Sequence, residues 1–560
     1  MKVIVGAAVV LAACVLLFFL DLGSAPLNTK GEPRAGLQVQ AQLRSGNWIL
    51  PRLNGRFLPS KPPLFPWLGG LAALATGSLD ELALRLPSAL LATAVVLVVF
   101  WRANGRWGAT AGMCASLVLA TSFEWLRAAR EARVDMTETA FIVGALVVFE
   151  RAVNVPVPSL PLIGLLYLCV GFAVLAKGPV GIVLPALVGF TYLALRRDLG
   201  RLRHLHLVAG TAIVLFIAGS WYALAAASGG TSFMKLVYRE NLLRFVRTGG
   251  PGGSHVHPFY YYVPGFLTGF LPWSPFLVPL AARLYRDRAT LDARGSLYPL
   301  VWFVVVFLFF SASAGKRTVY ILPAYPAVAL LLGAWWSGLI HESSVLTPTL
   351  ARVLRVVNVV GAAALGAVLL IVIASALGAE PLTLLTPLFH PRDQANVPLV
   401  QAILRERAAA LGLGMAILLA VTGIFAFSVP RHGWAAVFLW LVVLCGGITT
   451  VINAVFYPEF ARRRSLKTFL TSIRQVVHDS DDLAFYRTFD FGAVFYAGRD
   501  IRELHDLPAS AGEQRTYLLI WDDDWQRLAA DERARLERLS DSNPTDAKSG
   551  RRLILARLRS

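Results

Sequence analysis

NTKGEPRAGLQVQAQLRSGNWILPRLNGRFLPSKPPLFPW, residues 28–67, is the stretch whose reading decides the fold. It follows an apolar run from Val3 to Leu20, yet it is polar, dense in turn residues, and carries an acid beside bases. Such a segment is built to sit at a membrane surface. Gly31-Glu32-Pro33-Arg34 predicts a turn entering a helix, because proline suits the first helical turn and an acid suits the positive helix end. The helix is expected to run to about Ser45, with Leu37, Ala41 and Leu43 forming a partly apolar side that would lie at the lipid interface. Asn54-Gly55 between two short apolar runs is a hairpin signal. Ser60-Lys61-Pro62-Pro63 then sets Lys61 in a stiff extended connector. A carboxylate and a lysine are thereby held near one membrane face; the plainer alternative is a solvated loop whose charges only set topology.

With 56% hydrophobic and 16% charged residues and a mean hydropathy of +0.60, the chain is too apolar for a soluble globule. It reads as a polytopic α-helical membrane protein. The net charge of +19 lies in short loops between apolar runs, where Lys and Arg set orientation and meet anionic headgroups, so nucleic acid is excluded as a partner and membrane lipids are expected. Cys14, Cys114, Cys169 and Cys445 fall inside apolar runs without metal or disulfide spacing and read as core residues. Gly23-Ser24-Ala25 resembles a signal-peptide cleavage site, but Pro26 disfavours it.

Apolar runs predict about 13 spans, near 2–20, 85–101, 108–123, 136–152, 159–175, 179–195, 207–227, 261–282, 297–312, 319–338, 356–377, 408–427 and 435–455. Short basic loops at 102–106, 196–206, 283–294, 352–355 and 431–432 read as cytoplasmic. An odd span count then puts the C-terminus outside. The opposite loops hold the unusual polar features: residues 28–67, Arg127 to Asp135, Lys177-Gly178-Pro179, residues 229–260 and Gly315-Lys316-Arg317. Basic charge on that side points to a site for an anion. Residues 1–455 are expected to form the transmembrane unit, with large loops over 21–84 and 229–260. Residues 456–560 are expected to form a small soluble α/β domain, with strands at Leu483–Phe489, Gly492–Ala497, Tyr517–Trp521 and Arg552–Ala556, and a helix over Ala529–Leu539.

Glu32 and Asp135 both fall at the outer face, where an acid is costly unless paired or hydrated, and so are candidates for one site. The alternative for Asp135 is a helix cap paired to Arg133; Glu138 lies one turn further in. On the same face lie Lys61, Lys177, Arg239, Arg244, Arg247, Lys316 and Arg317, with His255 and His257. Cations near acids fit group transfer from a lipid phosphate, the cations stabilising the leaving phosphate and an acid activating the nucleophile. The alternative is ordinary headgroup contact. Histidines spaced i, i+2, with Glu32 as a further ligand, would make a weak site for a divalent ion, which the chemistry does not require. Asp522-Asp523-Asp524 reads as a helix cap rather than a nucleotide-sugar motif.

In order, GEPR (31–34), NWILPRLNGRFLPSKPPLFPW (47–67), ARVDM (132–136), LAKGPVG (175–181), RENLLRF (239–245), HPFYYYVP (257–264), LPWSP (271–275) and GKRTVYILPAYPA (315–327) resemble the bacterial branch of the GT-C glycosyltransferases. That branch includes the lipid A aminoarabinose transferases and is related to protein O-mannosyltransferases. The resemblance implies a GT-C fold and an inverting glycosyltransferase of the inner membrane. It would move a sugar from a polyprenyl phosphate carrier to a lipid or glycolipid acceptor at the periplasmic face, and no cofactor is needed. It makes the first-loop acid, Glu32, the catalytic carboxylate and matches Asp135 to the family's RxD acid. Lys61 and Arg244 become phosphate ligands, joined by Lys177, Lys316 and Arg317, while Tyr238, Arg239, Asn241, His255, His257 and Tyr320 are candidate substrate contacts. Many relatives have Asp-Glu where this chain has Gly31-Glu32; if the missing Asp is the base in those relatives, the resemblance implies either that Glu32 or Asp135 does that work here or that the acceptor differs. Protein or polysaccharide acceptors are the alternative within the class. A transporter would show matched halves and mid-membrane charges, which this sequence lacks. A sensor or scaffold would leave the two acids free to vary.

Overall fold

Glu32–Ser45 does form a helix, but the surface it meets is protein. In the computed structural model, which describes residues 2–27, 31–53, 56–57, 61–238, 257–342, 348–390, 394, 396–487, 489–508, 515–543 and 551–559, the chain opens with helix α1 (Lys2–Cys14), continued to Phe19, and then α2 (Glu32–Ser45). Gly46 closes α2 in the left-handed conformation at φ 66°, the backbone that glycine adopts without steric cost. Leu37, Val39 and Ala41 are buried, packed between α3 (Leu64–Thr76) and the helix Phe491–Ala497 near the C-terminus. The interfacial placement expected of α2 is therefore corrected: its apolar side fits a protein groove, and burying it there removes more surface from water than lying in a headgroup layer. Strands β1 (Arg52–Leu53) and β2 (Arg56–Phe57) pair antiparallel with Leu53 opposite Arg56, while Asn54 and Gly55 themselves lie outside the described residues. Trp67 Nε1 donates to Trp48 O at 2.6 Å and Trp221 Nε1 to Ile49 O at 3.0 Å, tying this region to the bundle.

Helices occupy each of the thirteen stretches read as spans, beginning with α4 (Glu81–Trp107), α5 (Ala109–Thr121), α6 (Phe123–Ala129), α7 (Val134–Asn154), α8 (Leu160–Lys177) and α9 (Val180–Leu195). Among the described residues, eight helices are long and apolar enough to cross a membrane, and ten if each bent pair counts once. The bent pairs are α5 with α6, at 71°, and Phe259–Gly269 with Ser274–Arg286, at 113°. The difference from thirteen has plain causes. Helix α9 and Leu297–Ala312, at 16 residues each, reach roughly 24 Å at 1.5 Å per residue, short of a hydrocarbon core of about 30 Å. Helix α7 carries Asp135, Glu138, Glu150 and Arg151. Close helix contacts rest on small residues: a Cβ at Gly333 would stand 2.5 Å from the Ala115 backbone. Trp125, Trp273, Trp302 and Trp336 fill the bundle interior, while Val208, Phe216 and Ile4 are exposed on its outside. Cys14 and Cys114 are buried, but Cys169 and Cys445 are only half-buried.

The two ends of the bundle are chemically distinct. Asp135 and Glu150, at opposite ends of α7, stand roughly 22 Å apart along its axis. At the Glu150 end, Arg102 pairs with Glu150 and Arg196 Nε lies 3.2 Å from Asp292 Oδ2, so the basic loops 102–106, 196–206 and 283–294 converge there, whereas 352–355 and 431–432 lie within helices rather than loops.

The last part of the chain forms a five-stranded sheet from β3 (Asp482–Tyr486), β4 (Arg502–Leu504), β5 (Thr516–Trp521), β6 (Leu536–Asp541) and β7 (Leu553–Leu558), in the order β4-β3-β5-β7-β6. β3 runs parallel to β4 and β5; β7 runs antiparallel to β5 and β6. Gly492–Ala497, expected as a strand, lies in the helix Phe491–Ala497. Asp490 caps it by accepting from the Ala493 amide, and Gly498 ends it in the left-handed conformation, so the caps override β propensity. The helix expected over Ala529–Leu539 stops at Ala534, because Leu536–Asp541 is recruited as an edge strand by β7. Asp522, Asp523 and Asp524 are not caps either: they form the first helical turn after Trp521, with Arg551 paired to Asp523. One face of the sheet shares a core with α2 and with Leu27, Leu53 and Leu84. Tyr496 is the clasp: its hydroxyl accepts from the Leu27 amide at 2.7 Å and donates to Glu81 Oε1 at 2.9 Å, and Lys467 Nζ meets the same carboxylate at 2.8 Å.

Candidate active site

Glu32 opens α2 and is only 1% exposed. A buried carboxylate needs a matched partner, and α4 supplies one: Arg85 Nε and Nη2 donate to Oε1 and Oε2 at 2.8 and 3.2 Å, while the Ala132 amide donates to Oε1 at 3.0 Å. Arg85 also donates to the carbonyls of Leu22, Ala25 and Pro26, gathering the connection after α1 onto the same point. Arg85 was not among the candidates read from the sequence. Its signal was a charged residue beside an apolar run.

From Ala132 the network continues along the chain. Arg127 Nη1 meets Glu131 Oε1 at 2.7 Å, Arg133 Nη1 meets Glu131 Oε2 at 3.4 Å, and Arg133 Nε meets Asp135 Oδ2 at 3.3 Å. Burial pushes the Glu131 carboxyl above the ordinary glutamate range against the pull of Arg127, and burial beside Arg85 lowers Arg130 to about 10. A Cβ at Gly31 would stand 3.1 Å from Arg133 Nε, so the glycine leaves that guanidinium its path to Asp135.

Asp135 sits in the first turn of α7 behind Arg133, which occupies the cap position without a side-chain bond. The pairing with Arg133 expected for it is present; the capping role is not. Its stronger partner is Lys177 at the end of α8, whose Nζ lies 2.8 Å from Asp135 Oδ1 and 2.5 Å from Glu138 Oε2, and 4.4 Å from the centre of the Tyr320 ring. One lysine thus serves two buried carboxylates. The Lys61 charge acts on Glu138 and the Arg317 charge on Asp135, so these cations stand around the pair. Lys316 is buried and its Nζ donates to Ser313 O, while the Arg317 amide donates to Tyr262 Oη at 3.3 Å. His257 stacks on Tyr261 at 4.2 Å. Arg239, Asn241, Arg244, Arg247 and His255, and the side chain of Tyr238, lie outside the described residues. Among the described residues no three His, Cys, Asp or Glu side chains gather as a metal site, and Glu32 is turned to Arg85 and the Ala132 amide rather than to His257.

Beside the Glu32–Arg85 pair lies a cavity of about 670 Å³. Leu22, Phe123, Leu126, Leu271, Ile448 and Ile452 supply apolar walls, and Glu32, Arg85, Arg130 and Glu131 a charged end. The arrangement can hold an amphiphile, with its chain among the helices and its polar end at the ionic network.

Residues 60–222 match the family of dolichyl-phosphate-mannose-protein mannosyltransferases. An uncharacterised protein of Aquifex aeolicus is 31% identical over 58% of this chain and 62% of its own length. An undecaprenyl phosphate-alpha-4-amino-4-deoxy-L-arabinose arabinosyl transferase of Pseudomonas fluorescens is 29% identical over 57% of this chain and 56% of its own. The chain therefore spans less than two thirds of the length of these curated relatives. Among solved structures, ArnT from Cupriavidus metallidurans bound to undecaprenyl phosphate superposes with a TM-score of 0.76 at 21% identity, covering 98% of this chain and 97% of that one. The archaeal oligosaccharyltransferase AglB of Archaeoglobus fulgidus matches at 0.52 and 15% identity, over 89% of this chain and 64% of its own. Multi-span helical architecture, near-complete superposition and ordered motifs agree: this chain has the GT-C fold and resembles the polyprenyl-phosphate-sugar-dependent glycosyltransferases built on it.

Proposed function

We propose that the chain is an inverting glycosyltransferase moving one sugar from a polyprenyl phosphate to a glycolipid acceptor of the lipid A type. The observation that carries this reading is the pair Asp135 and Glu138 on Lys177, with Lys61 and Arg317 around it, in a fold whose solved neighbour holds undecaprenyl phosphate. The acceptor hydroxyl attacks the anomeric carbon, the bond to the phosphate oxygen breaks, and the polyprenyl phosphate leaves with the electron pair. Asp135 takes the hydroxyl proton. In support of Asp135 over Glu32, Glu32 is held by three hydrogen bonds, two from Arg85 and one from the Ala132 amide, whereas Asp135 meets Arg133 at 3.3 Å on one oxygen and, on the other, a lysine that it shares with Glu138. Lys61, Arg317, Lys316 and Arg244 stabilise the departing phosphate. The lipid chains lie between helices, one of them in the cavity beside Glu32. The membrane is the bacterial inner membrane, and the site faces the periplasm; in support, the basic loops 102–106, 196–206 and 283–294 meet at the opposite end of the bundle, the end that the positive-inside rule assigns to the cytoplasm. Protein acceptors are the second reading, favoured by the family matched over 60–222.

The test is sugar transfer from a synthetic undecaprenyl phosphate donor to lipid A by purified protein. Asp135→Asn is expected to keep donor binding and lose about 100-fold or more in kcat. Undiminished turnover in Asp135→Asn would overturn the assignment of the base, and transfer to peptide but not to lipid would move the reading to protein acceptors.

A further inference from the structure

Glu138 stands one turn deeper in α7 than Asp135 and is 2% exposed. Its two oxygens are unequally served. Oε2 accepts from Lys177 at 2.5 Å, whereas Oε1 is buried with no hydrogen-bond partner among the described residues. Leaving a buried acceptor unmatched costs about 1–3 kcal/mol, and more for a charged group, so an orphaned carboxylate oxygen calls for a donor from outside the protein. The hydroxyls of Thr137 and Thr139, on the same turn, are buried and unpartnered as well.

The neighbours indicate what that donor belongs to. Glu138 feels the charges of Lys61, Lys177 and Asp135. Under the transferase reading above, on which this inference rests, Lys61 holds the leaving phosphate and Asp135 the attacking hydroxyl. In a displacement at an anomeric carbon, the group between those two is the sugar ring. We propose that Glu138 is a specificity-determining residue that reads the transferred sugar, its Oε1 accepting a hydrogen bond from a hydroxyl or amino substituent of the ring. A carboxylate accepts from either group but cannot donate, so a sugar lacking a donor at that position is selected against. Either contact is charge-assisted through the carboxylate, and a protonated amino group adds an ion pair to the hydrogen bond.

Glutamine separates this role from a structural one. Its carbonyl oxygen still accepts from Lys177, but its amide presents a donor where Oε1 presented an acceptor. The experiment uses the purified full chain with two synthetic undecaprenyl phosphate donors of the same ring, one bearing an amino group and one only hydroxyls, and follows thermal unfolding alongside. Glu138→Gln is expected to unfold with the parent and to lose about 10- to 100-fold in kcat/KM, the range of a charged hydrogen bond. A larger loss with the amino donor identifies an amine as the group read; an equal loss identifies a hydroxyl. Retention of kcat/KM within about twofold for every donor the parent uses would overturn the proposal, as would a loss that only follows a fall in folded protein. An inactive parent removes the transferase reading itself and this inference with it, a result distinct from an active parent with an indifferent variant.

Discussion

Replacing Arg85 by methionine strands the Glu32 carboxylate. Arg85 is 3% and Glu32 1% exposed, so neither group turns to water when its partner is lost. The guanidinium makes five hydrogen bonds, two to Glu32 and three to the carbonyls of Leu22, Ala25 and Pro26. Methionine matches its length but offers no donor. Removing one partner of a buried pair costs about 3–5 kcal/mol, because the remaining charge is uncompensated, and the freed carbonyls add to this. Glu32→Gln is milder, since Arg85 keeps its three carbonyls. In the double variant no charge is stranded, so its destabilisation should fall below the sum of the singles by about 1–3 kcal/mol. The assay is a double-mutant cycle on reversible unfolding in mixed detergent and SDS micelles, with donor binding measured on the same samples. If Arg85→Met costs under about 1 kcal/mol, or the two changes simply add, the pair is not the buried tie between α2 and α4 and the site argument built on it fails.

Tyr496→Phe removes one hydroxyl that bonds the Leu27 amide and Glu81. With two bonds lost at about 1 kcal/mol each, hydrogen exchange over residues 31–45 should quicken while the sheet stays protected; unchanged exchange there would show that Tyr496 does not clasp the first loop. Glu131 binds its proton more tightly folded than unfolded. Its contribution is therefore fully present below the ordinary glutamate value near 4.5 and is lost as pH rises through the folded value. Thermal stability against pH should fall less steeply above that point in Glu131→Gln than in the parent; parallel slopes would refute the burial argument.

Much was legible in the sequence because it is written in neighbouring residues. The helix positions follow from apolar runs, though not how many of those helices are long and apolar enough to cross a membrane, and the 32–45 helix follows from Glu32-Pro33 and Gly46 and the strand pairing at 52–57 from Asn54-Gly55. Asp135 and Lys177 were both singled out, each as a charge at the end of an apolar run. Other features were decided only by packing. That Glu32 pairs with Arg85, 53 residues away, and Lys177 with both Asp135 and Glu138, depends on how helices rotate and cross, which hydrophobic periodicity does not encode. The helix at Phe491–Ala497 won over its β-forming composition through Asp490, Gly498 and a groove on α2, and Leu536–Asp541 became a strand because β7 had an edge to pair. A membrane-spanning helix satisfies its own backbone within the segment, so sequence alone marks it. A buried charge or an edge strand is satisfied by distant residues, and only the assembled chain brings them within bonding distance.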